Sequence, residues 1–195
     1  MELQDYSGAF KADLKLEDFS KEQLIKLVEN AAKGLVGIDG LWNTLIREKY
    51  GFETARAFQD QIWVGPRNFN HVQDMPRICK AFNIQGKDVA ALFKYLQVTP
   101  SLGLYNWPMV LDLKNNNHGI LTITKCKTLE YCERHNDDKL KNYVCKEMDS
   151  AWFGDVAPHF FNPKIKVNQL VPVSMRPKLS TCGESLCKWE YVLEE

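Results

Sequence analysis

Three cysteines and a histidine fall within the twenty residues CKTLEYCERHNDDKLKNYVC, from Cys126 to Cys145, and Cys182 and Cys187 lie nearer the C-terminus. Thiolate and imidazole groups are the ordinary tetrahedral ligands of zinc and iron. The same thiolates become nucleophiles where an imidazole, a basic side chain or a helix N-terminus lowers their pKa. Spacing discriminates only partly between these uses. Structural zinc sites commonly place about two to four residues between paired ligands. Five residues separate Cys126 from Cys132 and four separate Cys182 from Cys187, so only the Cys182–Cys187 pair fits that rule. A second chemical feature is Asp39 in AAKGLVGIDGLW, a carboxylate on an otherwise apolar stretch, followed three residues on by Trp42. Burying such a group is costly unless it is paired or protonated, which makes Asp39 a functional-site candidate; the competing reading is that it faces solvent or pairs with a basic residue such as Arg47 or Arg67.

The elements that must position these residues follow from periodicity. Ser20 with Glu22 and Gln23 behind it has the form of a helix N-terminus, and Leu24, Leu27, Val28, Ala31, Leu35, Ile38, Trp42 and Leu45 keep three-to-four spacing, which predicts one long helix ending near Tyr50 and Gly51. Further helices are expected at about 53–63, 72–82 and 87–97, with Gly65 and Pro66 breaking the chain between the first two. After Pro100 the pattern changes to alternation: MVLDLK and ILTITK flank NNNHG as a hairpin, and IKVNQLVPV and CKWEYVLE supply two more strands. Short helices are expected at about 128–135 and 149–160 between them. Helices first and an antiparallel sheet of about four strands later define an α+β fold in a single domain, 1–195. Within it, residues 1–19 are read as an extended N-terminal segment, 20–99 as the helical part and 100–195 as the sheet part.

On that sketch Cys126 follows the second hairpin strand, Cys145 precedes a helix, Cys187 opens the last strand and Cys182 lies on the loop before it. These ends converge if the last strand lies beside the hairpin, which makes Cys126, Cys145 and Cys187, with Cys182 as a fourth ligand, a candidate zinc or iron site. Cys145, ahead of a helix, is equally the candidate nucleophile, with Asp39 or His159 to carry the proton. Filling of the core is the competing use of each buried cysteine. Gly34, Gly37 and Gly40 cost up to about 1 kcal/mol each relative to alanine in a helix interior, which calls for a closely packed neighbour or room for a ligand. Asp39, Trp42 and Trp63, with Trp107, are the candidate lining of such a pocket.

Lysine plus arginine equals aspartate plus glutamate at 25 each, with no long block of either sign, so a nucleic-acid partner is not expected. The first residues lack a basic segment followed by an apolar run, and no stretch reads as a membrane span, so a cytoplasmic protein whose thiols stay reduced is expected. A small molecule is the expected partner.

The run DFSKEQLIKL through GIDGLWNTLIREKYGFETA, with VCKEM, FNPKIKV and the ending CKWEYVLEE, resembles an uncharacterised family of prokaryotic cytosolic proteins frequent in anaerobes. That family is similar, more distantly, to the L-2-amino-thiazoline-4-carboxylic acid hydrolase group and to vinyl-reductase-type small-molecule-binding domains. The resemblance implies roles for Asp39 with Trp42, and for Cys126, Cys145 and Cys187, the last two residues before Trp189. The strand IKVNQLVPV carries no cysteine where relatives are expected to have one, which leaves Cys182, a histidine or water to complete a metal site. Three functions follow: a small-molecule-binding protein with a cysteine cluster, a hydrolase of a thiazoline-like or cyclic amide compound, or an interaction domain with incidental cysteines.

Overall fold

A computed structural model describes residues 2–100, 106–171 and 187–194. Helix α1, Lys21–Tyr50, begins where Ser20 Oγ accepts the Gln23 N–H at 3.3 Å and ends at Gly51, whose φ of 85° lets the chain turn sharply into α2, Phe52–Trp63. A π-helical turn, Asn70–Asp74, runs into α3, Met75–Ala81, and α4 spans Val89–Val98 behind an Asp88 cap that accepts the Ala91 N–H at 2.8 Å.

Strands β1, Met109–Asn115, and β2, His118–Ile123, form the expected hairpin. With β3, Ile165–Val171, and β4, Cys187–Leu193, they make a fully antiparallel sheet in the order β1-β2-β4-β3. The last strand therefore does lie beside the hairpin, with Ile123 paired to Cys187 and Leu121 to Trp189. Alternation sets the buried face: Leu121 and Ile123 from β2 and Cys187, Trp189 and Tyr191 from β4 point inward.

Helix α4 fills that face. Val89, Leu92, Phe93, Tyr95 and Leu96 are all buried, a contribution of about 1.5–3 kcal/mol for each large side chain before conformational entropy is set against it. The Phe93 ring lies so close to Gly119 that a Cβ there would come within 2.5 Å of it, so glycine at this point of β2 is a packing requirement. Asp74 closes the other end of α4 by accepting the Tyr95 hydroxyl at 2.6 Å and the Thr99 hydroxyl at 2.7 Å.

Between the hairpin and β3 the chain is more helical than the periodicity predicts. Helix α5, Lys127–Arg134, matches the first expected insertion. Beyond it, α6, Asp138–Asn142, a π-helical segment, Tyr143–Met148, α7, Asp149–Ala151, a second π-helical segment, Trp152–Val156, and α8, Ala157–Phe161, follow without a break. Cys145 therefore lies inside a helical run and does not precede it. Each wider turn shifts the apolar face, which hides the helix from a search at 3.6-residue spacing.

Candidate functional site

Helix α1 buries little for its length; Ala32 and Asn43 are its buried residues. Its middle spans a cavity of about 610 Å³ bounded below by the ends of β2 and β4 and at the side by α5 and the Tyr143–Met148 segment. That volume lies within the range of small-molecule sites. Ile123, Val144, Met148, Trp152 and Phe153 make the walls largely apolar.

The helical hairpin α1–α2 is held over this space by polar ties at its edge. Arg47 pairs with Asp137 at 2.7 Å, the Tyr143 hydroxyl donates to Asp60 at 2.7 Å, Arg56 pairs with Glu147, and the buried Asn106 amide donates to the Ala32 carbonyl at 3.0 Å. Burial pushes the Asp137 carboxyl upward, but the Arg47 hydrogen bond, the Leu140 N–H and the Arg47 charge outweigh it and hold the group below its ordinary value. Burial, with the bond to Asp60, pushes the Tyr143 phenol well above its ordinary range, so it stays a donor.

Asp39 stands in the cavity wall at the centre of a chain of donors. Gln59 Nε2 donates to Asp39 Oδ2 at 2.9 Å, Trp63 Nε1 donates to Oδ1 at 3.2 Å, and Asn43 Nδ2 donates to Gln59 Oε1 at 3.0 Å. The two donors fix the carboxyl's orientation but bring it no cation. Arg47, a basic residue within reach by sequence, pairs with Asp137 instead. Desolvation therefore dominates: it raises the Asp39 pKa, and the Trp63 and Gln59 hydrogen bonds only moderate the rise. Trp63 is further set by an edge-on contact with Phe69 at 5.9 Å.

The glycines find their reason here. Gly37 and Gly40 border the cavity, and a Cβ on either would meet open space, as it would at Gly34 on the outer face. The compensation is room rather than a close-packed neighbour.

Trp42 turns away from the cavity and packs edge-on against Phe58 at 6.0 Å, whereas Trp63 and Trp107 line it. Cys126 and Cys187 also line it, one capping α5 through Sγ to the Leu129 N–H at 3.4 Å and the other opening β4. Cys145 is buried in the π-helical segment, outside the lining. Cys182 falls outside the described residues. Among the described residues no group of three or more histidine, cysteine, aspartate or glutamate side chains is placed to hold a metal ion, and no disulfide joins the cysteines. Burial pushes the Cys126 thiol up, with the Asp149 carboxylate adding to it, and burial with Asp137 pushes Cys132 up to about 12. His159 lies exposed on α8, 3.8 Å from Asp155, and is not in the lining.

Several cavity residues carried no sequence signal of their own. Asn43 and Gln59 read as ordinary polar positions on amphipathic helices; only their placement on the inward face, one turn from Asp39 and from Trp63, marks them. Lys127, Glu130 and Arg134 of α5 sit in a segment whose charges read as a solvated surface, yet they border the cavity.

An α+β protein with a roomy, largely apolar cavity roofed by one long helix and marked by the oriented Asp39 carboxyl is the class that fold and site define. The chain belongs to the Family of unknown function (DUF6125), whose model matches residues 16–193. No curated protein and no solved structure matches it.

Proposed function

We propose that the protein is a cytoplasmic small-molecule-binding module whose ligand has an apolar body and a nitrogen that donates hydrogen bonds, an amine or amidine, seated on Asp39. The observation that carries this reading is the oriented Asp39 carboxyl, which pairs with no cation among the described residues, in the wall of an apolar cavity of about 610 Å³. The apolar walls supply affinity, and the half-buried Asp39 carboxyl supplies specificity, since a ligand that leaves it unpaired forfeits the charge-assisted bond. No helix among the described residues is long and apolar enough to cross a membrane, which is compatible with this placement.

Thermal unfolding with 4-phenylbutylamine and with 4-phenylbutyrate tests the reading, because the two probes share a body and differ in charge. The amine is expected to raise the Tm in proportion to the logarithm of its concentration and the acid to do nothing. Equal shifts from both, or none from either, would sink the proposal.

A second reading is favoured by the raised pKa of Asp39 itself. A carboxyl held upward by desolvation next to an apolar cavity is suited to proton transfer, and the amidine-like nitrogen and carboxylate of a thiazoline-type substrate would match Asp39 and the Lys127–Arg134 rim. In that hydrolase Asp39 carries the proton. A nucleophilic cysteine is disfavoured at Cys126, whose thiol is pushed up rather than down.

A further inference from the structure

The outer face of α1 carries a second pattern, which touches the cavity only at Leu35 and Leu41 among its residues. Leu27, Ala31, Gly34, Ile38, Leu41 and Leu45 recur at alternating steps of four and three residues, the a/d seam of a coiled coil. Those side chains are in water: Leu27, Ile38, Leu41 and Leu45 are 51, 69, 61 and 55% exposed, and Leu35 and Val28 widen the stripe. A helix that is apolar on its inner face and again on its outer one is not a solvated surface helix.

From this we infer that the protein is a homodimer in which α1 packs antiparallel against α1 of a second copy. The choice of occupant comes from the pattern itself. The six seam positions map onto themselves when the helix is reversed about residue 36, so that Leu27 meets the partner's Leu45, Ala31 the partner's Leu41, and Gly34 the partner's Ile38. Each central layer then sets a large side chain against a small one, as a well-packed interface requires. A parallel pairing would instead place Ala31 on Ala31 and Gly34 on Gly34, leaving a hollow in the middle of the seam. Beside the seam the reversed pairing brings Leu35 against its own mate and Val28 towards the partner's Trp42. A surface that complements itself under a twofold rotation is an isologous interface.

The area is sufficient. The exposed part of the stripe amounts to roughly 600 Å² of apolar surface per chain, hence about 1,200 Å² for a pair, at the lower end of the range for stable interfaces. Leu41 also borders the cavity, so the second copy stands beside its rim.

Sedimentation equilibrium of the full chain tests this, with a dimer of twice 22.5 kDa as the expected species. Ile38→Lys with Leu41→Lys should weaken association at least about a hundredfold. Both side chains are mostly in water in the single chain, so circular dichroism and Tm at low concentration should hold, which separates lost association from lost folding. Orientation is read by oxidative cross-linking: Leu35→Cys should link to its own mate, and Ile38→Cys should not link to itself but should link to Gly34→Cys in a mixture. A monomer up to about 100 μM, a dimer that survives the double lysine variant, or self-linking of Ile38→Cys would each overturn the inference.

Discussion

The replacement of Gly37 and Gly40 by alanine separates the fold from the function. Both lie in the interior of α1, neither has a positive φ, and an added Cβ meets no atom within 4 Å. Helix propensity and the reduced entropy of the unfolded chain should therefore act without a steric penalty, at about 0.4–1 kcal/mol per position. The double variant is expected to gain about 1–2 kcal/mol, which for a chain of this size is a rise of about 2–8 °C in Tm by circular dichroism or calorimetry at fixed concentration. The same substitutions narrow the cavity under α1, and Gly40→Leu, which places a whole isobutyl group there, should keep the fold while weakening phenylbutylamine binding at least about tenfold, or 1.4 kcal/mol. That is the exchange of stability for function expected of a binding helix. A loss of stability in the alanine variants would show that the glycine face is packed against something, and unchanged binding in Gly40→Leu would show that the ligand lies elsewhere; either result refutes the reasoning.

Three further outcomes follow from the same geometry. The raised pKa of Asp39 means that its contribution to stability is fully present below the ordinary carboxylate range and lost as pH rises through the folded-state value, so Asp39→Asn should flatten that part of the stability profile; an unchanged slope in urea melts would contradict it. For Asp137 the sign is opposite: its depressed pKa contributes stability that is present above the ordinary carboxylate range and lost as pH falls through the folded value, and Arg47→Met should remove most of it, about 1 kcal/mol, as judged by the urea midpoint at pH 7 and its disappearance at low pH. Of the six cysteines, the half-buried Cys79 should react with Ellman's reagent ahead of Cys126 and Cys132, whose deeper burial shields them although burial raises all three thiols; rapid labelling of Cys126, located by mass spectrometry, would make that thiol a candidate nucleophile.

Much of the architecture is legible in the sequence because local signals agree with tertiary ones. The Ser20 cap and Gly51 bound α1, NNNHG closes the hairpin, and alternation in CKWEYVL sets the buried face of β4. The helical run from Asp138 to Phe161 was not legible, since the π-helical turns at Tyr143–Met148 and Trp152–Val156 rotate its apolar face and no single period fits. The site was legible in part. Asp39 declares itself by the cost of its position, but whether Trp42 or Trp63 shares its face depends on how α1 meets α2, which spacing on one helix does not encode. The apolar positions of α1 carried the opposite lesson: their spacing reads as core, yet Leu27, Ile38 and Leu45 face water in the single chain. Periodicity reports that a face must be covered without saying by what.

Energy transfer from tryptophan to dansylcadaverine, an apolar fluorophore with a primary amine, tests the central claim most directly, since Trp63, Trp107 and Trp152 all line the cavity. Saturable transfer in the wild-type chain, weakened at least about tenfold by Asp39→Asn and absent for the neutral dansylamide, is the predicted result. Transfer that is absent, or that persists undiminished in Asp39→Asn, would contradict the assignment of Asp39 as the group that reads the ligand.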